Sequence, residues 1–162
     1  MAKKPAKSAV PKLYAGRIAR VREAMARPKL PAYLLTNPKD CHYLTGFTGE
    51  DSAVLITPKR VYLISDSRFD ETIDKECHWT VKVMRRGLIE PEIGKLCRKL
   101  KLSRVGVQAD RMTLACHADL RKSAKPTRLV KAPPIVNDLR LLKDAEELKI
   151  IGQAIVIAQD AF

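Results

Sequence analysis

A chain of 162 residues, 46% of them apolar, has room for one buried core and is short for two packed domains. Its 31 Lys and Arg against 18 Asp and Glu give a formal charge of +13, a surface that attracts acidic partners, nonspecifically nucleic acid among them. No apolar run reaches the roughly 18 residues of a membrane span, and the opening MAKKPAKSAVPK carries charges and prolines where a signal peptide needs an apolar stretch; the expected location is the cytoplasm, away from membranes.

Residues 1–12 are rich in Pro, Ala and Lys and read as a disordered basic leader; without its four lysines the chain still carries +9. Over 13–26, Tyr14, Ile18, Val21 and Met25 recur at spacings of four and three, the apolar face of a helix. AYLLTN (32–37) reads as a strand, followed by a turn or short helix at Pro38. AVLIT (53–57) and VYLIS (61–65) flank Pro58-Lys59-Arg60 as a β-hairpin. Asp66 and Ser67 are positioned to cap a helix over 68–77, and WTVKVM (79–84) is strand-like. Pro91 suits the first turn of a helix whose inner face is Ile93, Leu96, Cys97 and Leu100. A strand VGVQ (105–108), a helix over 113–123 and a strand over 128–131 complete an alternation that predicts an α/β domain over 13–132, its sheet mixed because of the hairpin. Pro133-Pro134 ends the sheet and opens an expected linker, 133–143.

Asp144 with Glu147 three residues on reads as a capping box, opening a helix that runs to Phe162. One stripe on it is Leu148, Ile151, Ile155, Ala158 and Phe162; beside it runs a second, Ile150, Ala154, Ile157 and Ala161. A helix apolar over most of its circumference is expected to be covered on more than one side, by another chain or by a continuation of this one, and left bare it should drive self-association.

No catalytic constellation emerges from these residues. Four cysteines (Cys41, Cys77, Cys97, Cys116) are scattered without CxxC spacing and read as reduced, packed thiols. Three precede a histidine, but neighbouring side chains diverge by roughly 100° on a helix and 180° on a strand, so zinc is disfavoured. Ser52, Ser65 and Ser67 have no histidine in a GxSxG context, and phosphate-binding glycine motifs are missing. Asp66, Asp70, Glu71 and Asp74 fall at helical spacing but beside Arg68 and Lys75, the pattern of a solvated face. Against a dedicated nucleic-acid module stand 5% aromatics and the lack of an RNP-like or zinc-finger pattern.

Tyr43-Leu44-Thr45-Gly46-Phe47, then the hairpin, then Ser65-Asp66-Ser67-Arg68-Phe69 resemble the YLTGF…TDSRY pattern of the aminopeptidase P/creatinase/prolidase N-terminal domain. Asn137-Asp138-Leu139-Arg140 through Lys143 to Ala154 is similar to that family's passage into its catalytic domain. The resemblance, covering about Ile18 to Phe162, implies a three-layer α/β domain with a mixed sheet flanked by helices and a ribonuclease H-like motif. It implies too that residues 144–162 are the first helix of a truncated pita-bread catalytic domain. That absent domain would bind two divalent metal ions (manganese, cobalt or zinc) through two Asp, one His and two Glu, and would hydrolyse the peptide bond before proline; this chain alone would hold neither metal ligands nor catalytic residues.

Members commonly dimerise through the N-terminal domain, which helps wall the substrate pocket. By resemblance, then, Tyr43, Phe47 and Arg68 are the candidates for a pocket or interface, Phe47 as an apolar wall and Arg68 as partner of a carboxylate. The same residues have structural readings: Phe47 in the core, Arg68 bonded to Asp66, Asp70 or a helix end, Gly46 and Gly49 permitting turns. Three functions stay open at this point: the non-catalytic N-terminal domain of an Xaa-Pro metallopeptidase, likewise dimeric; a stand-alone peptide- or protein-binding module of the same fold; and a basic protein bound to nucleic acid.

Overall fold

A computed structural model describes residues 9–162. Helix α1 (Lys12–Ala26) leads into strand β1 (Tyr33–Leu35) and helix α2 (Pro38–Thr45). The hairpin of β2 (Ala53–Ile56) and β3 (Val61–Asp66) follows, then a 3-10 turn at Ser67–Phe69 and helix α3 (Asp70–Glu76). Strand β4 (Val81–Arg85), helix α4 (Ile89–Lys99), strand β5 (Arg104–Val107), helix α5 (Leu114–Ala124) and strand β6 (Arg128–Lys131) lead to helices α6 (Ile135–Leu141) and α7 (Ala145–Asp160).

The strands form one sheet in the order β4-β3-β2-β1-β5-β6. The hairpin and the β1–β2 pair are antiparallel, while β3–β4, β1–β5 and β5–β6 are parallel, so the sheet is mixed as its early hairpin predicts. Alternate residues feed two separate cores. Tyr33, Leu35, Val54, Ile56 and Leu63 point toward α1, α2, α3 and α6. Leu34, Leu55, Tyr62, Ile64 and Val105 point toward α4 and α5. Covered on both faces, the central strands read as unbroken apolar runs rather than alternating ones. On the second face α4 meets α5 closely: a Cβ on Gly94 would collide with the backbone of Ser123.

Three boundaries differ from the sequence expectation. Of the basic leader, residues 1–8 lie outside the described residues, and Lys12 already belongs to α1. The helix expected over 68–77 is divided: Asp66 accepts from the Arg68 amide to cap a 3-10 turn, and α3 starts only at Asp70. The linker expected at 133–143 is instead helix α6, with Ile135 and Val136 buried against α1. Two prolines announced the end of the sheet, but a proline also suits a helix start, and two apolar residues directly after it had a core to enter.

Helix α7 forms as its capping box predicts, with Asp144 accepting from the Glu147 amide and Glu147 accepting from the Asp144 amide, at 3.0 and 3.1 Å. Cover for its apolar stripes was expected from another chain or from a continuation of this one, and the described residues supply none. No residue of α7 is buried, and Ile150, Ile151, Ile155, Val156 and Ile157 stay exposed. Apolar periodicity reports what a helix face prefers, and nothing among the described residues packs over this one. No helix of the described residues is long and apolar enough to cross a membrane.

Candidate substrate-facing and interface site

The YLTGF segment is built from a capped helix and its terminator. Asn37 accepts from the Asp40 amide at 3.2 Å, Pro38 occupies the first turn, and α2 runs only to Thr45. Gly46 ends it in the left-handed region at φ 78, where a Cβ would also strike the Tyr14 hydroxyl. Thr45 donates to the Cys41 carbonyl at 2.7 Å and accepts from the Phe47 amide at 3.2 Å, turning the chain inward. Phe47 is consequently buried, edge-on to Phe69 at 5.8 Å. The loop's far side is fixed by Glu76, which accepts from the Thr48 amide and hydroxyl at 2.9 Å each.

Tyr43 lies under a cation. The Arg17 guanidinium sits 4.0 Å over its ring, donates to its carbonyl at 2.7 Å, and reaches Asp144 at 2.9 and 2.5 Å and Glu147 at 3.5 Å. Arg17 thus joins α1, the end of α2 and the N-terminus of α7. Burial pushes the Tyr43 phenol up, opposed by the nearby Arg17 charge, and its hydroxyl has no protein partner. A second polar knot lies alongside. Asp40, fully buried on α2, accepts from Gln108 and from Arg140 of α6, both at 2.7 Å. An open cleft of about 580 Å³ is framed by α1, α2 and the start of α7, with Tyr14, Arg17, His42, Tyr43, Phe47 and Arg140 among its walls.

Arg68 stands apart from that cleft. It is exposed and bonds both carboxylate oxygens of Asp66 at 2.9 and 2.7 Å, and Asp51 at 3.0 Å. Arg85 of β4 shares the same two acids, and the four charges make a closed network. Hydrogen bonding from Arg68 holds the Asp66 carboxyl down at about 2. The acids at helical spacing are also occupied: Lys82 on β4 bridges Asp70 and Asp74 at 2.6 and 2.7 Å.

Of the three sequence candidates, Tyr43 and Phe47 come together on one wall, and Arg68 is one aromatic ring removed, 5.4 Å from the Phe69 centroid. Arg17, Asp40 and Gln108 stand in none of the sequence motifs, and Arg140 stands only in the passage resembling the approach to a catalytic domain. Their signal was faint: a polar residue one step before an apolar helix position, and an acid two residues after a helix-starting proline. Cys41, Cys77 and Cys97 are buried, and burial raises their thiols to about 12, 12 and 11, so they are inert packing groups. Among the described residues no three His, Cys, Asp or Glu side chains gather where a metal ion could bind. The residues present therefore do not fit the two-metal site that the resemblance assigns to a neighbouring domain.

One mixed six-stranded sheet with helices on both faces and the YLTGF loop at a cleft defines, in class, a layered α/β domain. The chain belongs to the Creatinase/Prolidase N-terminal domain family, whose model matches residues 17–142. It is 29% identical to a Xaa-Pro dipeptidase from Bacillus anthracis, with a TM-score of 0.79 over 85% of this chain and 38% of that one. The N-terminal domain of the cytoplasmic peptidase PepQ from Mycobacterium tuberculosis H37Rv has the same fold, with a TM-score of 0.71 at 20% identity over 76% of this chain and 98% of that one. A curated relative described as an uncharacterized peptidase, YqhT of Bacillus subtilis, is 25% identical over 146 residues, 90% of this chain. The chain spans 41% of that relative's length and is an N-terminal domain of the Xaa-Pro peptidase family.

Proposed function

We propose that these residues serve as the non-catalytic N-terminal domain of a cytoplasmic metallopeptidase that hydrolyses the bond before proline, pairing in a dimer and contributing the Tyr43–Phe47 wall to a peptide pocket. The observation that carries this reading is α7. It begins just past the last residue matched by the family model, is anchored at one end by Arg17 and Asp144, and exposes isoleucines along its length. A helix held so firmly at its start and covered so little beyond it suits the first element of a second domain. Buried, unpaired cysteines fit a reducing compartment.

In this role the domain's own residues position rather than react. Arg17 ties the start of α7 to α1 and the end of α2, and Phe47, edge-on to Phe69, borders the same cleft as Tyr43. Two divalent ions, held by the following domain, would supply the Lewis-acid chemistry. The test is an Xaa-Pro peptide assay with manganese, cobalt or zinc. The 162-residue chain is expected to show no turnover, and the polypeptide read from the gene past Phe162 is expected to carry the Asp, Asp, His, Glu, Glu set and to be active. Metal-dependent turnover by the 162 residues alone would overturn the non-catalytic assignment.

A further inference from the structure

The excess positive charge is concentrated. Ile93 to Ala109 contains Lys95, Arg98, Lys99, Lys101 and Arg104 and no acid; Leu120 to Asn137 contains Arg121, Lys122, Lys125, Arg128 and Lys131 and again no acid. Without these ten, the other 21 cationic residues face all 18 acidic ones, a balance of +3 against +13 for the chain. The fold lays the two stretches side by side. Helix α4 packs on α5 and β5 pairs in parallel with β6, so the end of each helix and the start of each strand meet at one corner.

Lys95 and Lys122 find carboxylates on their own helices, Glu92 at 2.9 Å and Asp119 at 3.8 Å; the other eight make no ion pair among the described residues. Elsewhere Arg17, Arg68, Lys75, Lys82, Arg85, Arg111 and Arg140 rest on carboxylates while other described cations also lack an ion pair, so what sets this corner apart is the density of cations along two acid-free stretches. Helix ends explain a part. Cations in the last turns of α4 and α5 offset the partial negative charge there, and Arg98 donates to the carbonyls of Ser123 and Lys125. That account does not reach Lys101, Lys125 and Arg128, which lie beyond both helices and are exposed. Arg104 and Arg128 are register partners on adjacent strands; Arg104 donates to the Pro28 and Lys29 carbonyls, while Arg128 is exposed without an ion pair. Lys101 takes the left-handed conformation at φ 53 right after the C-cap of α4, a position that glycine fills at less cost. Between the two loops lies a cleft of about 540 Å³, lined by Arg98, Lys101, Leu102, Ser103, Pro126 and Thr127 without a carboxylate.

We infer that this corner binds the phosphodiester backbone of duplex nucleic acid without reading its sequence. Several separated, unpaired cations call for a repeating anion rather than a single one. The cleft offers no aromatic ring for a splayed base, which disfavours single strands. None of the exposed large apolar residues lies on either loop, which disfavours insertion at a lipid surface. The corner shares no lining residue with the α1–α2–α7 cleft, so it stands or falls independently of the peptidase reading.

The test is fluorescence anisotropy of a labelled duplex of about 20 base pairs with the 162-residue protein, between about 50 and 200 mM salt. The variant K101E/K125E/R128E is compared with K59E/R60E/R86E, three exposed cations elsewhere that change net charge equally. The corner variant is expected to lose roughly tenfold or more in affinity and to flatten the salt slope by about two to three contacts, while the control loses less than about threefold. Thermal melting checks that both fold; if the corner variant does not, the milder K101Q/K125Q carries the comparison, with a loss of about threefold expected. Equal losses in corner and control variants, no binding of the parent at low salt, or tighter binding to a single strand or to phosphatidylserine vesicles would each overturn the assignment.

Discussion

Helices α1 and α7 are nearly equal in length, 15 and 16 residues, and both repeat apolar side chains at three and four. One is core and the other is bare. Helix α1 buries Ile18, Val21 and Met25 beneath α2 and α6, whereas α7, with more isoleucines, buries nothing. The difference lies in the neighbours, not in the helices. An isolated helix of about 16 residues is marginal in water, so α7 depends on what holds its first turn: the capping box and the Arg17 guanidinium. Helix α7 is thus attached firmly at one end and exposes apolar side chains along the rest.

The largest effect expected from this contrast is on α1. Ile18→Ala removes a side chain that is 2% exposed, and should cost about 4 kcal/mol by urea unfolding. A cost near that of a surface change would mean that α1 is no more essential than α7. Next is Asp40→Ala on α2, which strands Arg140 and Gln108 and should cost about 3 kcal/mol, loosening α6 from the sheet. Asp40 separates α6 from α7 as well: seven residues suffice for α6 because they bring two buried apolar side chains and a buried acid's partner.

How much of this was legible beforehand follows the same division. The strands were written in short apolar, β-branched runs and the apolar faces of α1 and α4 in periodicity, since each had a local pattern and a nearby core to match. Tyr43 and Phe47 were flagged by a motif; both are buried in the core on the α1–α2 side of the sheet and border the cleft there. Arg17, Asp40, Gln108 and Arg140 were missed as a group because their pairings span 68 to 127 residues, and no local spacing encodes such partners. Lys82 was missed for the same reason: the sequence placed the acids of α3 near Lys75, while the sheet brought β4 alongside instead. Helix α6 was misread where two rules conflict, since proline both ends a strand and starts a helix.

Arg17→Ala should have an intermediate effect with a particular location. The loss is expected to be about 2 kcal/mol, and hydrogen exchange should speed up across Ala145–Asp160 while the sheet amides keep their protection. Acid should mimic the variant. Burial pushes the Asp144 carboxyl up, but the Glu147 amide and Arg17 outweigh it and hold it below the usual carboxylate value. The stabilisation is therefore complete above the ordinary carboxylate range and is lost as pH falls through the lowered value. Exchange in α7 that responds neither to Arg17→Ala nor to acid would place its anchor elsewhere.

The smallest expected effect is the most discriminating. Ile155 is 52% exposed on α7, and Ile155→Ala in the 162-residue chain at about micromolar concentration should change stability by less than about 0.5 kcal/mol. The same substitution in a polypeptide that includes the proposed following domain should cost about 2 kcal/mol or more, because there the side chain would be enclosed. A large cost in the short chain that grows with protein concentration would mean that a second copy covers α7 instead. The contrast between the two helices would then mark a dimer contact rather than a domain boundary.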